Sequence, residues 1–162
     1  MDIATLLARI GAALAVGAII GLDRDLRRKP AGVRTHSLVC IGSASVMLAT
    51  LEAGGNADAV ARVIQGLVAG VGFLGAGVII HHHAHHRVEG LTTAASIWMS
   101  AGLGAACGLG RYALVGVALG AALIVLIVGG PIEKAFAKRN HTGEDKLPAT
   151  GSPRRTPPPP EP

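Results

Sequence analysis

Polar side chains that could bind an ion gather at the ends of the apolar runs of this 162-residue chain. The carboxylates of Asp23 and Asp25 could hold a hydrated Mg²⁺, because this ion typically binds one or two carboxylates and keeps several waters. Helix N-termini beside Arg34 would instead favour an anion such as phosphate. Pairing of the aspartates with Arg24 or Arg34 would need no ligand, so three interpretations stay open. The candidate site residues are Asp23, Arg24, Asp25, Arg34, Thr35, His36, Thr92 and Thr93.

A second group of candidate ligands is a histidine cluster in one polar connector. Histidines spaced i, i+4 on a helix would share a face, where they could bind Zn²⁺ or sense pH. Polar connectors also tolerate such tracts without any function, and both interpretations are kept. The cluster consists of His81, His82, His83, His85 and His86.

Several functional classes are excluded by motif context and composition. No set of nucleophile, base and oxyanion donors is evident, so we expect no enzyme. Residues 70–75, Gly-Val-Gly-Phe-Leu-Gly, match the dinucleotide-binding fingerprint, but they lie inside a long apolar run instead of between a strand and a helix. The net charge of +5 comes from one connector and the tail, which indicates membrane sidedness and no nucleic-acid partner. Cys40 and Cys107 fall inside apolar runs and are expected to be buried thiols, with no disulfide or metal site.

The elements that position these residues are predicted to be membrane helices. Half of the residues are apolar and only 2% are aromatic, which is typical of an integral membrane protein. A spanning helix needs about 20 apolar residues, and Pro131 is expected to limit the last one. We predict an all-α bundle of about five transmembrane helices in residues 1–132 and a disordered, proline-rich cytoplasmic tail in 133–162. The apolar runs cover 3–22, 36–53, 61–80, 90–109 and 113–128.

Charge distribution predicts the orientation. The connector Gly21–His36 carries five Lys and Arg, which by the positive-inside rule marks the cytoplasmic face. With five spans, the N-terminus is then outside and the C-terminus inside, and the cytoplasmic segments hold twelve of the 15 Lys and Arg. The outside turns hold only Arg62 and Arg111. All of the candidate site residues would face the cytoplasm.

Glycines spaced by four predict close helix packing. Small faces let helix backbones approach in lipid, so we expect a compact bundle, with a homo-oligomer as a second possibility. Arg9, inside the first run, is expected to snorkel to the membrane surface, although a buried functional arginine is the other interpretation. The glycines are Gly17, Gly21, Gly66, Gly70, Gly104, Gly108, Gly116 and Gly120, with Gly72, Gly75 and Gly77 also in the third run.

Four blocks of sequence resemble the MgtC/SapB family of bacterial inner-membrane proteins: 21–25, 30–36, 70–77 and 88–95, followed by Trp98. The chain departs from the family pattern at Asp23 and Asp25, where glutamates are usual, and at Glu89, where a basic residue is common. The resemblance implies a multi-pass protein that in some members is linked to growth at low magnesium and to survival inside host cells.

Together, the residues and the resemblance favour a non-enzymatic protein of the bacterial inner membrane. We expect it to modulate Mg²⁺ or phosphate homeostasis through contact with a membrane-protein partner in the lipid bilayer. We expect no cofactor, with Mg²⁺ as the one candidate ion. A transporter for Mg²⁺ or another cation and a histidine-based metal or pH sensor are the alternatives.

Overall fold

The computed structural model describes residues 1–80 and 90–144; the histidine cluster and residues 145–162 lie outside the described part. Five helices account for the regular structure of the described residues, which confirms the all-α prediction. Residues Met1–Ile127 form one compact unit, which holds all of the contacts discussed below; a second unit begins at Val128, within the last helix. The helices are α1 (Ile3–Leu26), α2 (Val33–Glu52), α3 (Ala57–Ile80), α4 (Leu91–Gly108) and α5 (Tyr112–Glu144).

The last helix does not end where the sequence predicted. Pro131 lies inside α5, which continues to Glu144, so the prediction that this proline limits the helix is wrong. Proline removes one backbone hydrogen bond, but membrane helices tolerate it because local adjustments satisfy the freed carbonyl. The helix also crosses the domain boundary predicted at residue 132.

Within the described ranges, three of the helices are long and apolar enough to cross a membrane: Ile3–Leu26, Ala57–Ile79 and Tyr112–Pro131. The other two, α2 and α4, carry buried hydroxyl groups instead of a purely apolar sequence, among them those of Ser43 and Ser100. Hydroxyls are acceptable inside a helix bundle where they find hydrogen-bond partners on the same or a neighbouring helix. The composition of α2 and α4 therefore suits the interior of the bundle, with α1, α3 and α5 towards lipid.

α4 is the central helix, and most of its residues from Thr93 to Gly108 are buried. It packs against α1, α2 and α3. α1 runs antiparallel to it, because Arg24 near the end of α1 contacts Thr93, whereas Arg9 near the start of α1 contacts Gly108. α2 runs parallel to α4, as the hydrogen bond from the Cys40 thiol to the Ser100 carbonyl and the pairing of earlier residues of both helices show.

Glycines allow α2 to approach both of its neighbours closely. Gly17 and Gly21 of α1 lie against the α2 backbone, and Gly104 and Gly108 of α4 lie against the other side of α2. A Cβ at any of these four positions would collide with a backbone atom of α2. Helix association in lipid depends on such contacts, because apolar burial adds little there.

The other glycines are placed differently. A Cβ built at Gly75 would lie 3.4 Å from the Ala94 Cβ, which is an ordinary contact between α3 and α4. For the remaining ones, no atom of the described residues outside their own helix backbone and chain neighbours lies within 4 Å of an added Cβ. These are Gly66, Gly70, Gly72, Gly77, Gly116 and Gly120.

The side chains between the helices are mostly small. One apolar cluster joins α1, α2, α4 and α5 around Ala13, Ile20 and Leu103, and a second joins α3 and α4 through Val71 and Ile97. Cys40 and Cys107 are free and buried, as the sequence predicted. Small side chains keep the helices close, so packing depends on shape more than on bulk.

Candidate functional site

The end of α1 supplies a buried arginine to the bundle. Arg24 is only 2% exposed, and its Nη2 donates to the Thr93 hydroxyl at 3.0 Å, in the first turn of α4. Positions i, i+4 and i+7 of a helix share one face, so Arg24 extends the face of Gly17 and Gly21 that packs against α2. Its Nε is buried without a hydrogen-bond partner among residues 1–80 and 90–144.

The N-terminus of α2 is capped by a carboxylate from α1. Asp25 Oδ2 accepts a hydrogen bond from the Val33 backbone N–H at 2.9 Å, because Gly32 at the cap position has no side chain of its own. A Cβ at Gly32 would collide with the Asp25 carboxylate, so glycine leaves the space that this cap needs. Negative charge is favourable at a helix N-terminus. Asp25 thus has an internal partner, but that partner is a backbone N–H and not Arg24 or Arg34, with which the sequence analysis paired the aspartates.

His36 is fully buried and joins α2 to α4. Its Nδ1–H donates to the Gly32 carbonyl, with the two heavy atoms 2.9 Å apart, because a carbonyl oxygen can only accept. Its Nε2 lies 3.0 Å from the Ser96 hydroxyl, which in turn lies 2.8 Å from the Thr93 carbonyl.

The protonation state of this histidine decides the direction of the hydrogen bonds. In neutral His36, Nε2 accepts the Ser96 hydroxyl proton, and the Thr93 carbonyl loses that donor. In the imidazolium form, Nε2–H donates to Ser96, and the hydroxyl is free to donate to Thr93. The hydrogen-bonded series His36, Ser96 and Thr93 therefore links the protonation state of a histidine in α2 to the hydrogen bonds of the first turn of α4.

The other predicted site residues lie at the edge of this cluster. Asp23 Oδ1 accepts a hydrogen bond from Arg27 Nε at 2.8 Å, while its Oδ2 is buried and has no partner in the described part of the chain. Thr35 is half-buried, and Arg34 and Thr92 are exposed. The arginine inside the cluster is thus Arg24, whereas Arg34, which the sequence favoured for an anion, lies outside it.

Two serines of the cluster were absent from the sequence prediction. Ser96 links His36 to Thr93, and the Ser100 hydroxyl donates to the Ser96 carbonyl at 2.9 Å. Thr93, Ser96 and Ser100 are spaced i, i+3 and i+7, so the face that carries Thr93 also carries both serines. That spacing was the available signal.

A cleft of about 350 Å³ opens beside the cluster between α1, α4 and α5. Ile20, Met99 and Val125 are among its lining residues, and almost all of the lining surface is apolar. Such a cleft suits hydrocarbon better than an ion. The polar cluster and the cleft are therefore chemically distinct neighbours.

The metal predictions concern the aspartates at the end of α1 and the histidine cluster. Among residues 1–80 and 90–144, no group of three or more His, Cys, Asp or Glu side chains is arranged to hold a metal ion. The predicted histidine ligands His81 to His86 lie outside the described residues, so that hypothesis stays a prediction.

Comparison with known proteins places the chain in a family. The MgtC family model matches residues 10–135. The protein SrpB of Synechococcus elongatus is 45% identical over 121 residues, which are 67% of this chain and 66% of that protein. The protein MgtC of Salmonella typhimurium is 40% identical over 129 residues, 80% of this chain and 53% of that protein. The protein SapB of Bacillus subtilis is 35% identical over 114 residues, 66% of this chain and 49% of that protein.

The chain therefore spans roughly half to two thirds of the length of these curated relatives. No solved structure matches it. The family match covers all five helices in whole or in large part and every residue of the polar cluster. The chain belongs to the MgtC family.

Proposed function

We propose that this chain is a non-enzymatic, multi-pass protein of the bacterial inner membrane that modulates Mg²⁺ or phosphate homeostasis through contacts with other membrane proteins. Membership of the MgtC family supports the link to Mg²⁺ homeostasis. The three apolar helices support a bilayer environment. The buried cluster around Arg24 and His36 would set the response to the ionic conditions.

The proposed orientation puts the N-terminus outside and the C-terminus in the cytoplasm. In it, the ends of α1 and α3 and the starts of α2 and α4 face the cytoplasm, where most Lys and Arg lie. Single cysteines at Asp25 and Leu91, in a chain without Cys40 and Cys107, should react with an impermeant maleimide only from the cytoplasmic side. Labelling of the two positions from opposite sides would contradict the orientation.

The observation that carries the proposed partner contact is the glycine face of α3. Phe73 is 83% exposed, and added Cβ atoms at Gly66, Gly70 and Gly77 would meet no atom of another helix among residues 1–80 and 90–144. Apolar side chains are expected on a helix face that meets lipid, whereas glycine has no side chain with which to contact lipid. Glycine does permit another helix to approach closely. The face of α3 that carries these residues therefore fits a partner helix, from another membrane protein or a second copy.

The test compares Gly70→Leu with the matched control Gly11→Leu. Both glycines are exposed, and within the described ranges an added Cβ at either one would have no atom of a neighbouring helix within 4 Å. In a host that needs the protein for growth at low Mg²⁺, Gly70→Leu should abolish growth support while Gly11→Leu retains it. Both variants should accumulate to the wild-type level. Equal growth with both variants would contradict the proposed α3 contact.

A transporter is separated from a regulator by flux. Purified protein in liposomes should cause no Mg²⁺ uptake above that of empty liposomes. Protein-dependent uptake that Asp23→Asn abolishes would overturn the regulatory proposal.

A further inference from the structure

Two arginines of α1 contact opposite ends of α4, where the helix carries partial charges of opposite sign. Arg9 Nη1 donates to the Gly108 carbonyl at 2.7 Å, at the C-terminal end of α4. A cation is favourable there, because the carbonyls at a helix C-terminus carry partial negative charge. Arg24 is at the other end, where the first-turn N–H groups carry partial positive charge. The helix dipole therefore opposes Arg24.

The nearby carboxylates make their hydrogen bonds to donors other than Arg24, and Asp23 Oδ2 has no partner in the described part of the chain. Asp23 Oδ1 accepts from Arg27, and Asp25 Oδ2 accepts from the Val33 N–H. The one hydrogen bond that Arg24 makes within the described ranges goes to a neutral acceptor, the Thr93 hydroxyl. Its guanidinium is buried, with Nε unpartnered. Asp23 attracts Arg24 electrostatically, but among the described residues no carboxylate forms an ion pair with Arg24. A buried cation that is not directly paired is unfavourable, so the geometry favours a further anion at the guanidinium.

The first turn of α4 offers donors for that anion. Gly90 at the cap position is in the left-handed conformation, with φ of 94°, and provides no side-chain hydrogen bond. The N–H groups of the first turn, those of Leu91 and Thr92 included, have no acceptor within their own helix. α2 solves the same problem with the Asp25 carboxylate, whereas α4 has an arginine in the equivalent place. Thr92 is exposed and adds a hydroxyl at the surface of this turn.

We propose that Arg24 and the first turn of α4 form a binding site for a phosphate-type oxyanion, supplied by inorganic phosphate or by the phosphate of a lipid headgroup. A guanidinium presents a planar fork of donors that matches phosphate oxygens. A helix N-terminus adds backbone N–H groups and a favourable field. This site specifies the class of ligand that the cluster around Arg24 and His36 would bind. Its biological role rests on the proposed function, whereas the binding itself does not.

The test uses the full chain, purified in lipid-free maltoside detergent. The thermal midpoint is measured in sodium phosphate and in sodium chloride of equal ionic strength, and radioactive phosphate binding is measured by equilibrium dialysis. A separate arm adds phosphatidylglycerol or, as the phosphate-free comparison, diacylglycerol. The variants are Arg24→Gln, Arg24→Lys and the control Arg34→Gln, which removes an exposed arginine near the start of α2.

We expect wild type and Arg34→Gln to be stabilised by phosphate or by phosphatidylglycerol, because a ligand that binds only the folded state raises its stability. Stabilisation by phosphate identifies a free-ion site, and stabilisation by phosphatidylglycerol alone identifies a headgroup site. Arg24→Gln should lose at least tenfold in affinity for the active probe. In chloride its midpoint should equal or exceed that of wild type, because a buried cation that has no direct ion pair within the described residues has been removed. Arg24→Lys, which keeps the charge without the fork, should bind with intermediate affinity.

Three results would overturn the site. One is the absence of any probe effect on wild type beyond that on Arg24→Gln. Another is an equal loss of binding in Arg34→Gln. The third is a marked fall of the Arg24→Gln thermal midpoint in chloride, which would assign Arg24 to helix packing through Thr93. If Arg24→Gln does not fold, wild-type affinity of Arg24→Lys for the probe would overturn the site instead. None of these readouts involves a partner or growth, so failure of the proposed function would leave them unchanged.

Discussion

Replacing Gly104 by alanine tests the close contact between α2 and α4. An added Cβ would collide with the Cys40 carbonyl oxygen and would lie 2.7 Å from the Cys40 Cα, whereas carbon atoms pack best at about 3.5–4.0 Å. The helices would have to separate locally by about 0.8 Å or more, and a gap of that order loses about a quarter to a half of each van der Waals contact it opens. The hydrogen bond from Cys40 Sγ to the Ser100 carbonyl, now 3.1 Å, would lengthen as well.

Gly102→Ala is the matched control, because Gly102 is on the same helix and no atom of another helix in the described part of the chain lies within 4 Å of its added Cβ. Alanine in place of glycine stabilises a helix by about 1 kcal/mol at either position. Overpacking at Gly104 opposes this gain with about 1–3 kcal/mol. We therefore expect Gly102→Ala to stabilise the protein by up to about 1 kcal/mol, and Gly104→Ala to be less stable than that control by about 1–3 kcal/mol.

The assay is unfolding of the purified protein by sodium dodecyl sulfate in mixed micelles, followed by tryptophan fluorescence. Trp98 is the single tryptophan of the chain and lies in α4, so its signal reports on the helix concerned. If Gly104→Ala were as stable as Gly102→Ala, the glycine-mediated contact between α2 and α4 would be refuted.

Three further polar contacts can be tested by substitution in the same assay. Arg9→Gln should destabilise the protein by about 1–3 kcal/mol, because it removes a charge-assisted bond to the C-terminal end of α4; the exposed Arg111→Gln should change stability by less than about 0.5 kcal/mol. Asp25→Ala should cost about 0.5–2 kcal/mol through loss of the α2 cap, and asparagine there should restore most of it. His36→Leu and Ser96→Ala should be non-additive, with a coupling of about 0.5–3 kcal/mol in a double-mutant cycle.

Each of these expectations has a contrary outcome. Equal effects at Arg9 and Arg111 would mean that the helix-end bond contributes nothing. An Asp25→Asn variant no more stable than Asp25→Ala would argue against capping by that side chain. Additive losses at His36 and Ser96 would show that the two side chains do not interact across the α2 and α4 contact.

The helices were predictable because apolar runs report which segments avoid water, but their ends were less so. The first apolar run ends at residue 22, yet α1 continues to Leu26. Asp23 and Asp25 are compatible with helical backbone and are excluded only from hydrocarbon, so hydropathy marks the membrane boundary and not the helix end. Pro131 was misjudged for a related reason, since one missing N–H does not terminate a long helix.

The polar cluster was predictable in location but not in its central residue. Charged and hydroxyl residues at helix ends identified the region, whereas burial depends on which helix face meets a neighbour. Arg24 continues the face of Gly17 and Gly21, and extending the glycine pattern by one turn would have indicated its burial. The choice between Arg24 and Arg34 needed the arrangement of three helices, which no local pattern contains.

The two arginine contacts also constrain how this chain can change length. Arg9 and Arg24 of α1 reach Gly108 and Thr93 of α4, and both pairs are separated by the same number of positions along their own helices. Deleting or inserting one residue between the arginines would rotate one of them by about 100° away from its acceptor. Insertions and deletions in α1 should therefore survive only when α4 changes by the same number of residues, so these two helices should gain or lose residues together as the sequence diverges.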